Sequence, residues 1–303
     1  MKSTLIGAPQ GGGYWSGRFQ RNLLALNVMA LALAAVAIAR HRLSPVERPS
    51  AVVTPAAPVV DRSATTPLLS VPVEQGAPTL RDCIALVEES RSALRDIKDY
   101  TALFTKTERI NGRLRKQIME MKLREDPFSI YLLYESKKER GRQAVYVQGN
   151  NDNTLVVKDV GLRAALGTLH LGLQNPLVTC ENRYPVTDLG IANLVDISLA
   201  IWERESKLPG VRAVVTITPN SRHGDRDCCE VMVTHHQRDP QIEYQKSHLY
   251  FDNETKLPIH VERYGWPAHE GEESPLMEEY DYANVQLNVG FSDGDFDPAR
   301  YGF

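Results

Sequence analysis

Cysteine is scarce in this sequence, and the chain has no excess of positive charge. Four cysteines in 303 residues are too few to build a disulfide scaffold, and whether Cys83 and Cys180 bridge is open from sequence alone. Aromatic residues make up 7% and charged residues 24%, which is ordinary for a soluble globular protein. The formal net charge of −3 excludes a strongly basic chain that binds phosphate backbones, so no nucleic-acid partner is expected.

The short motifs of the common enzyme classes are also missing. The chain has no G-x-S-x-G elbow, no H-E-x-x-H, no Walker loop and no dinucleotide-binding glycine pattern. The cysteines and histidines between residues 223 and 236 lack zinc-finger spacing, and alternation along a strand puts Cys229 with His235 on one face and Cys228 with His236 on the other. These absences favour a non-enzymatic protein with no catalytic residues, no metal and no cofactor.

Charge and hydropathy divide the chain into a basic front and an acidic body. Residues 1–78 hold seven Lys or Arg against three Asp or Glu, whereas residues 79–303 hold 28 against 35. Within the front, residues 23–39 form a run of 17 uncharged residues, about 26 Å as a helix and near the short end of a bilayer span. The basic residues 40–42 follow directly, which favours a retained signal-anchor; a cleaved signal peptide and a buried soluble helix are the alternatives.

A proline-rich stretch separates this run from the body. Seven prolines fall between residues 43 and 78, with neither helical nor strand periodicity. Such a segment stays extended and cannot form a packed core. The sequence therefore predicts four parts: a cytoplasmic segment or n-region (1–22), a transmembrane signal-anchor (23–39), a disordered linker (40–78) and a folded body (79–303).

The sequence of the body predicts many strands and few helices. Residues 79–98 have the three-and-four apolar spacing of an amphipathic helix, and two further helical segments are predicted at Leu162–Leu173 and Asp188–Lys207. About ten strand-like runs are joined by hairpin signals, of which Asn111-Gly112 is the strongest. The prediction is a mainly β (α+β) fold: a curled antiparallel sheet or open half-barrel of about ten strands with about three covering helices.

Several short motifs of the body resemble a known architecture. They are the strand Tyr100–Lys106 leading to the Asn-Gly hairpin, the stretch Met121-Lys-Leu-Arg-Glu-Asp-Pro-Phe128 and the closing Asp295-Phe-Asp-Pro298. The body is similar to the periplasmic lipoprotein carriers and receptors of the LolA/LolB type, although Glu125-Asp126 stands between Arg124 and Pro127 where that family joins the arginine to the proline. The Leu-Arg-Glu-Asp-Pro-Phe core and the C-terminal Tyr-Gly-Phe resemble more closely a bacterial family known only as a domain of unknown function. The resemblance implies a half-barrel with a helical lid around an apolar cavity that holds acyl chains.

The leading hypothesis is a non-enzymatic lipid- or lipoprotein-binding module. It would be held by residues 23–39 as a single-pass protein of the bacterial inner membrane, with the body in the periplasm. Residues 128–134 read FSIYLLY, apolar on both faces, and are expected to line the cavity, with Arg124 at the strand entrance for a ligand headgroup. The predicted ligand-binding residues are Phe104, Arg124, Phe128, Ile130, Leu132 and Tyr134. Two alternatives stay open: an anchored interaction protein whose core its own side chains fill, and an enzyme with an unrecognised site, which a tight polar cluster inside an apolar cavity would favour.

Overall fold

The computed structural model of this protein describes residues 76–303. The predicted n-region (1–22), the anchor (23–39) and all but the last residues of the linker (40–78) lie outside the described residues, so these three segments stay predictions. Within residues 76–303, no helix combines the length and the apolar character needed to cross a membrane.

One antiparallel sheet dominates the described part of the chain. Its strands are β1 (Asp99–Ile110), β2 (Arg113–Arg124), β3 (Ser129–Tyr134), β4 (Gln143–Val147), β5 (Thr154–Lys158), β6 (Thr168–Gly172), β7 (Ala213–His223), β8 (Arg226–His235), β9 (Lys246–Asp252), β10 (Pro258–Tyr264) and β11 (Leu276–Leu287). They lie in the order β6-β5-β4-β3-β2-β1-β11-β10-β9-β8-β7, so β6 and β7 are free edges and the sheet is not closed. The predicted open antiparallel sheet is confirmed, with eleven strands where about ten were expected.

Hairpin chemistry explains most of this topology. Every neighbouring pair except β1–β11 is consecutive in sequence. At the β1–β2 turn, Asn111 and Gly112 have φ values of +50° and +77°, which is the left-handed backbone that a two-residue hairpin of this type requires. The long β1–β2 hairpin then forms the middle of the sheet, because β11 returns to pair with β1.

Two helices cover one side of the sheet, which we call the helix face; the other side is the outer face. They are α1 (Leu80–Ala93) and α3 (Ile191–Ser206), and they pack against each other over the main hydrophobic core. Thr79 caps α1 through a reciprocal bond with Asp82, whose carboxylate accepts from the Thr79 backbone N–H at 2.7 Å. Trp202 of α3 is 1% exposed at the centre of this core, and burying a side chain of that size contributes about 2–3 kcal/mol.

The outer face carries a much smaller core. Tyr131 of β3 and Val145 and Val147 of β4 pack there against Phe296 from the C-terminal segment. The ring of Tyr301 stacks on Tyr131, with centroids 4.0 Å apart. Residues 128–134 are therefore buried on both faces, as their composition predicts: helices cover one face and the chain's own C-terminus covers the other.

The prediction of a helix at Leu162–Leu173 is wrong. Residues Gly161–Leu166 form a 3-10 turn, Gly167 ends it with a φ of +67°, and β6 follows as an edge strand paired with β5. Leu169 and Leu171 both point toward the helix face, as residues two apart on a strand do. The surrounding leucines obscure this period of two in the sequence. The third helix of the described residues is instead the short α2 (Pro176–Thr179), capped by Asn175.

The cysteines remain free thiols. Cys83 lies on the buried side of α1 in the main core, whereas Cys180 is exposed just after α2, and neither forms a disulfide. The possible bridge between them is therefore absent from this fold.

The start of α3 lies in close contact with the sheet. Gly190 precedes the helix with a φ of +110°, and a Cβ at this position would stand 2.8 Å from Leu123 Cδ1 and 3.1 Å from the Tyr100 hydroxyl. The same hydroxyl accepts a hydrogen bond from the Ile191 N–H at 2.9 Å. Glycine is needed here both for its backbone conformation and for its missing side chain.

We expect Gly190→Ala to lower the free energy of unfolding by about 2–4 kcal/mol, since it adds left-handed strain and a steric clash at a packed contact. Gly210→Ala is the matched control: its φ is +79°, but nothing lies within 4 Å of a Cβ there, so only the backbone cost of about 1 kcal/mol applies. Urea unfolding followed by far-UV circular dichroism measures both. Equal losses in the two variants would show that α3 does not depend on the close approach.

Candidate functional site

Five of the six predicted ligand-binding residues share the helix face. Phe104, Ile130, Leu132 and Tyr134 are buried in the main core, and Phe128 is partly buried against it. Phe104 stacks on Tyr282 of β11 at 4.8 Å between ring centroids. These residues are brought together, but under the helices most of the space between them is filled by other side chains. Their role in ligand binding stays a prediction.

Arg124 lies apart from the other five. Its neighbour Leu123 is buried on the helix face, so Arg124 is on the outer face. There its guanidinium contacts the C-terminal segment: Nη1 lies 2.8 Å from Asp293 Oδ1, and its centre lies 5.1 Å from the Phe296 ring. The strand that places Leu123 in the core thus separates Arg124 from the surface where an acyl chain would lie.

The helix face does open at one end, in a space we call the leucine cleft. It lies between β4–β6, the 3-10 turn Gly161–Leu166 and α2, beyond the cover of α1 and α3, with a volume of about 100 Å³. Tyr134, one of the predicted residues, forms part of its wall. Its apolar lining also includes Ala144, Leu155, Val157, Leu166, Leu169, Leu171, Leu177 and Val178.

Two exposed leucines, Leu166 and Leu177, line this cleft, and a third, Leu162, lies on the turn that carries Leu166. Leu162 is 98% exposed, Leu166 64% and Leu177 49%, which makes them three of the six large hydrophobic residues most exposed in the described part of the chain. Grouped exposed apolar side chains of this kind mark binding surfaces more often than single ones do. The sequence analysis missed this group because residues 162–173 read as a buried helix.

Charged residues form one wall of the leucine cleft. Glu181 accepts from three arginines: Arg115 at 3.1 Å, Arg142 at 3.0 Å and Arg163 at 3.0 Å. Burial alone would raise the pKa of Glu181, but Arg115 and Arg142 outweigh burial and hold it below its usual range. Arg142 also pairs with Asp159 at 2.9 Å. The cleft therefore combines a leucine-rich interior with a wall of fixed arginines.

A second polar group lies buried on the helix face, nearer the middle of the sheet. Arg263 donates to Glu278 at 2.7 Å and to Ser198 of α3 at 2.8 Å. Glu278 also accepts from the Tyr184 hydroxyl at 2.8 Å and pairs with Arg183 at 3.0 Å. Each charge in this cluster is already matched, so it resembles an internal tie between α3 and the sheet more than a set of groups free to act on a substrate.

Glu125 belongs to the Glu-Asp insertion noted in the sequence, where no local pattern predicts its burial. It follows β2, and its Oε1 is buried without a hydrogen-bond partner among the described residues. Burial, reinforced by the nearby Asp196 carboxylate, raises the pKa of Glu125 to about 7. The Glu-Asp insertion that distinguishes this chain from the LolA/LolB pattern thus places an unpaired carboxyl beside α3.

Comparison with known proteins places the chain in a family. The model of DUF1571, a protein family of unknown function, matches residues 97–303. The chain belongs to the DUF1571 family. That confirms the resemblance to a bacterial domain of unknown function, and no curated protein matches the chain.

Solved structures that the chain is similar to include the following three. Lipoprotein LppX of Mycobacterium tuberculosis is 12% identical with a TM-score of 0.40, over 71% of this chain and 97% of that one. A DUF1329 family protein from Desulfovibrio piger is 11% identical with a TM-score of 0.34, over 73% and 98%. A LolA superfamily protein from Nitrosomonas europaea is 13% identical with a TM-score of 0.26, over 73% and 98%. Superpositions this loose leave the ligand and partner of the DUF1571 chain open.

We expect Glu125→Gln to stabilise the protein at pH 8 by about 1–3 kcal/mol and to change little at pH 4.5. The folded-state pKa of about 7 lies above the ordinary 4.5, so the wild-type chain loses stability as the pH rises through this window and the buried carboxyl ionises. Glutamine removes that loss. Urea unfolding at the two pH values measures it, with the exposed Glu120→Gln as control; a gain that does not depend on pH would contradict the assigned cause.

Proposed function

We propose that this DUF1571 protein is a non-enzymatic module that binds an acyl chain of a lipid or lipoprotein in the leucine cleft. The observation that carries the proposal is the group of exposed leucines around an apolar opening on the helix face. Leaving Leu162 almost fully exposed costs free energy that burial against an apolar ligand would recover, at about 0.8 kcal/mol for each buried methylene group.

The cleft must widen to take a chain. Its volume of about 100 Å³ accommodates only a few methylene groups. Gly161 and Gly167 bound the leucine-bearing turn and have φ values of +64° and +67°, a backbone in which glycine turns without strain. Outward movement of this turn would expose Leu155 and Val157 beneath it and extend the apolar surface.

The arginine wall supports an anionic headgroup at the mouth. Arg163 is half exposed and pairs with Glu181 at 3.0 Å. A phosphate or carboxylate would compete with Glu181 for this arginine and so loosen one contact between the turn and α2. In this proposal Arg163, and not the Arg124 predicted from the sequence, binds the headgroup, because Arg163 lines the same cleft as the leucines.

We further propose the location that the sequence predicts. Residues 23–39 would hold the chain in the inner membrane, residues 40–78 would act as a tether, and the body would work in the periplasm. A tethered body suits a local acceptor or sensor of lipids better than a freely diffusing carrier, since its reach is limited by the linker.

One observation favours a second function. Under α1 and α3 the core is filled, with Phe104 and Ile130 fully buried, as expected of an anchored interaction protein without a small ligand. In that case the exposed leucines would meet a protein surface instead of an acyl chain.

A photoreactive palmitate distinguishes the two functions. Membranes containing the full chain are irradiated with the diazirine-bearing fatty acid, and labelled peptides are mapped by mass spectrometry. We expect the label between residues 155 and 182, and a loss of about tenfold or more in the double variant Leu162→Ser, Leu166→Ser, since two large apolar contacts are removed. The variant should keep its melting temperature because both side chains are exposed.

Val214→Ser is the matched control, since Val214 is 52% exposed on β7 at the far edge of the sheet. It should leave labelling unchanged. Labelling that is absent, or that falls equally in all variants, would refute acyl-chain binding in the leucine cleft and leave the interaction protein as the better account.

A further inference from the structure

The outer face of β8–β11 carries alternating carboxylates and histidines that the acyl-binding proposal does not use. His248 lies between Glu230 at 2.8 Å and Glu262 at 3.4 Å. His260 lies between Glu262 at 3.5 Å and Asp281 at 3.1 Å. Alternation along each strand puts these side chains on the face opposite to the helices, and pairing brings four strands together to form the row.

The end of the row is completed by a side chain from outside these four strands. The β7–β8 pairing shifts register between Thr218 and Ser221, and the hairpin turns at Gly224 with a φ of +60°. Its tip carries His223 over the outer face, where the His223 ring stacks on His260 at 4.2 Å between centroids. A bulge of this kind redirects a side chain that a regular strand would have pointed elsewhere.

Three donor atoms converge at that point. His223 Nε2 lies 2.5 Å and His260 Nδ1 3.1 Å from the same atom, Asp281 Oδ1. The ligand atoms of the three residues all lie within 4.8 Å of one another. In a tetrahedral zinc site with bonds of about 2.0 Å, donor atoms stand roughly 3.3 Å apart, so small side-chain rotations suffice to place all three around one ion.

We propose that His223, His260 and Asp281 bind a divalent transition metal ion of the zinc class. Two imidazole nitrogens and one carboxylate oxygen form a donor set that suits zinc and leaves a coordination position open. The stacking of the two imidazoles brings both of these nitrogens to the same carboxylate oxygen, so the donor set is already gathered on one side of Asp281.

The surroundings of His260 fit this assignment. Its second ring nitrogen, Nε2, faces Glu262 Oε1 at 3.5 Å, and Glu262 is itself held by the Tyr264 hydroxyl at 2.8 Å. A carboxylate behind a metal-bound histidine orients the ring and raises the basicity of the nitrogen that binds the metal. His260 is only 7% exposed, so its position is fixed by packing.

A space large enough for a ligand adjoins the three residues. A cleft of about 470 Å³ lies where β11 runs past the end of β10, and His223 and Asp281 form part of its wall. Its lining also includes Leu257, Ile259 and Val285. The bound metal would therefore hold a water molecule or an anionic ligand group at the edge of a partly apolar cleft. Its nearest strand, β11, lies five strands from β5 of the leucine cleft.

Cobalt and zinc titration of the full chain tests the site. The protein is purified in mild detergent, stripped of metal with a chelator and titrated with Co²⁺, whose visible absorption bands report coordination number. We expect one Co²⁺ per chain with the intense bands of a four-coordinate site, displaced by one equivalent of Zn²⁺. His223→Asn and Asp281→Asn should each weaken binding by about tenfold or more, and Glu262→Gln, behind His260, by about tenfold.

Two control variants make the assignment specific. His269→Asn removes an exposed histidine elsewhere, and His248→Asn removes one that is flanked by two carboxylates in the same row but lies outside the three proposed ligands. Both should keep the wild-type affinity. Wild-type protein that binds no Co²⁺ stoichiometrically would overturn the proposal, as would a loss in His248→Asn equal to that in His223→Asn. Near-UV circular dichroism checks that each variant is folded.

Discussion

The fold depends on how closely α3 approaches the middle of the sheet. An open sheet of eleven strands has one apolar face too large to leave in water, and α1 and α3 are the two long helices of the described chain that cover it. Gly190 lets the helix start directly against Leu123, and Trp202 fills the space further along. Because two helices cannot span all eleven strands, the apolar face continues beyond them at β4–β6, and this uncovered remainder is the leucine cleft.

The buried charges set the position of the same helix. Arg263 and Glu278 are almost fully excluded from water, and Ser198 ties them to α3. Burying such a pair gains little net stability, since desolvation offsets the attraction, but breaking it by moving α3 would leave an unpaired charge in the core. The apolar packing therefore supplies the stability of the docked helix, and the ion pair penalises any other position. A helix held in this way is a poor candidate for a mobile lid, and in the proposed function the turn at Gly161–Gly167 moves instead.

Sequence patterns predicted the elements whose periodicity is unambiguous and failed where composition hides it. Asp188–Lys207 was predicted as a helix and β1–β2 as an Asn-Gly hairpin, because their apolar spacing fits one period only. Residues 162–173 contain enough leucine to satisfy a helix or a strand, and only pairing with β5 decides between them. For the site, alternation already separates Leu123 from Arg124, whereas the contact of His223 with Asp281 needs a register shift and a sheet order that no local pattern contains.

The two faces of the sheet carry different kinds of side chain because α1 and α3 cover one face and not the other. The helix face must exclude water, so its polar groups are paired internally and its open end is lined with leucine. Between β8 and β11 no helix of residues 76–303 covers the outer face, so it tolerates carboxylates and imidazoles. Neighbouring strands bring these groups within a few ångströms of one another. Opposite charges at that spacing stabilise the sheet weakly when solvated. The tip of the β7–β8 hairpin makes one part of this row different. It folds over His260, which shields that histidine from solvent, and it adds His223 as a third donor. Three donor atoms therefore meet at Asp281, whereas the rest of the row consists of surface pairs.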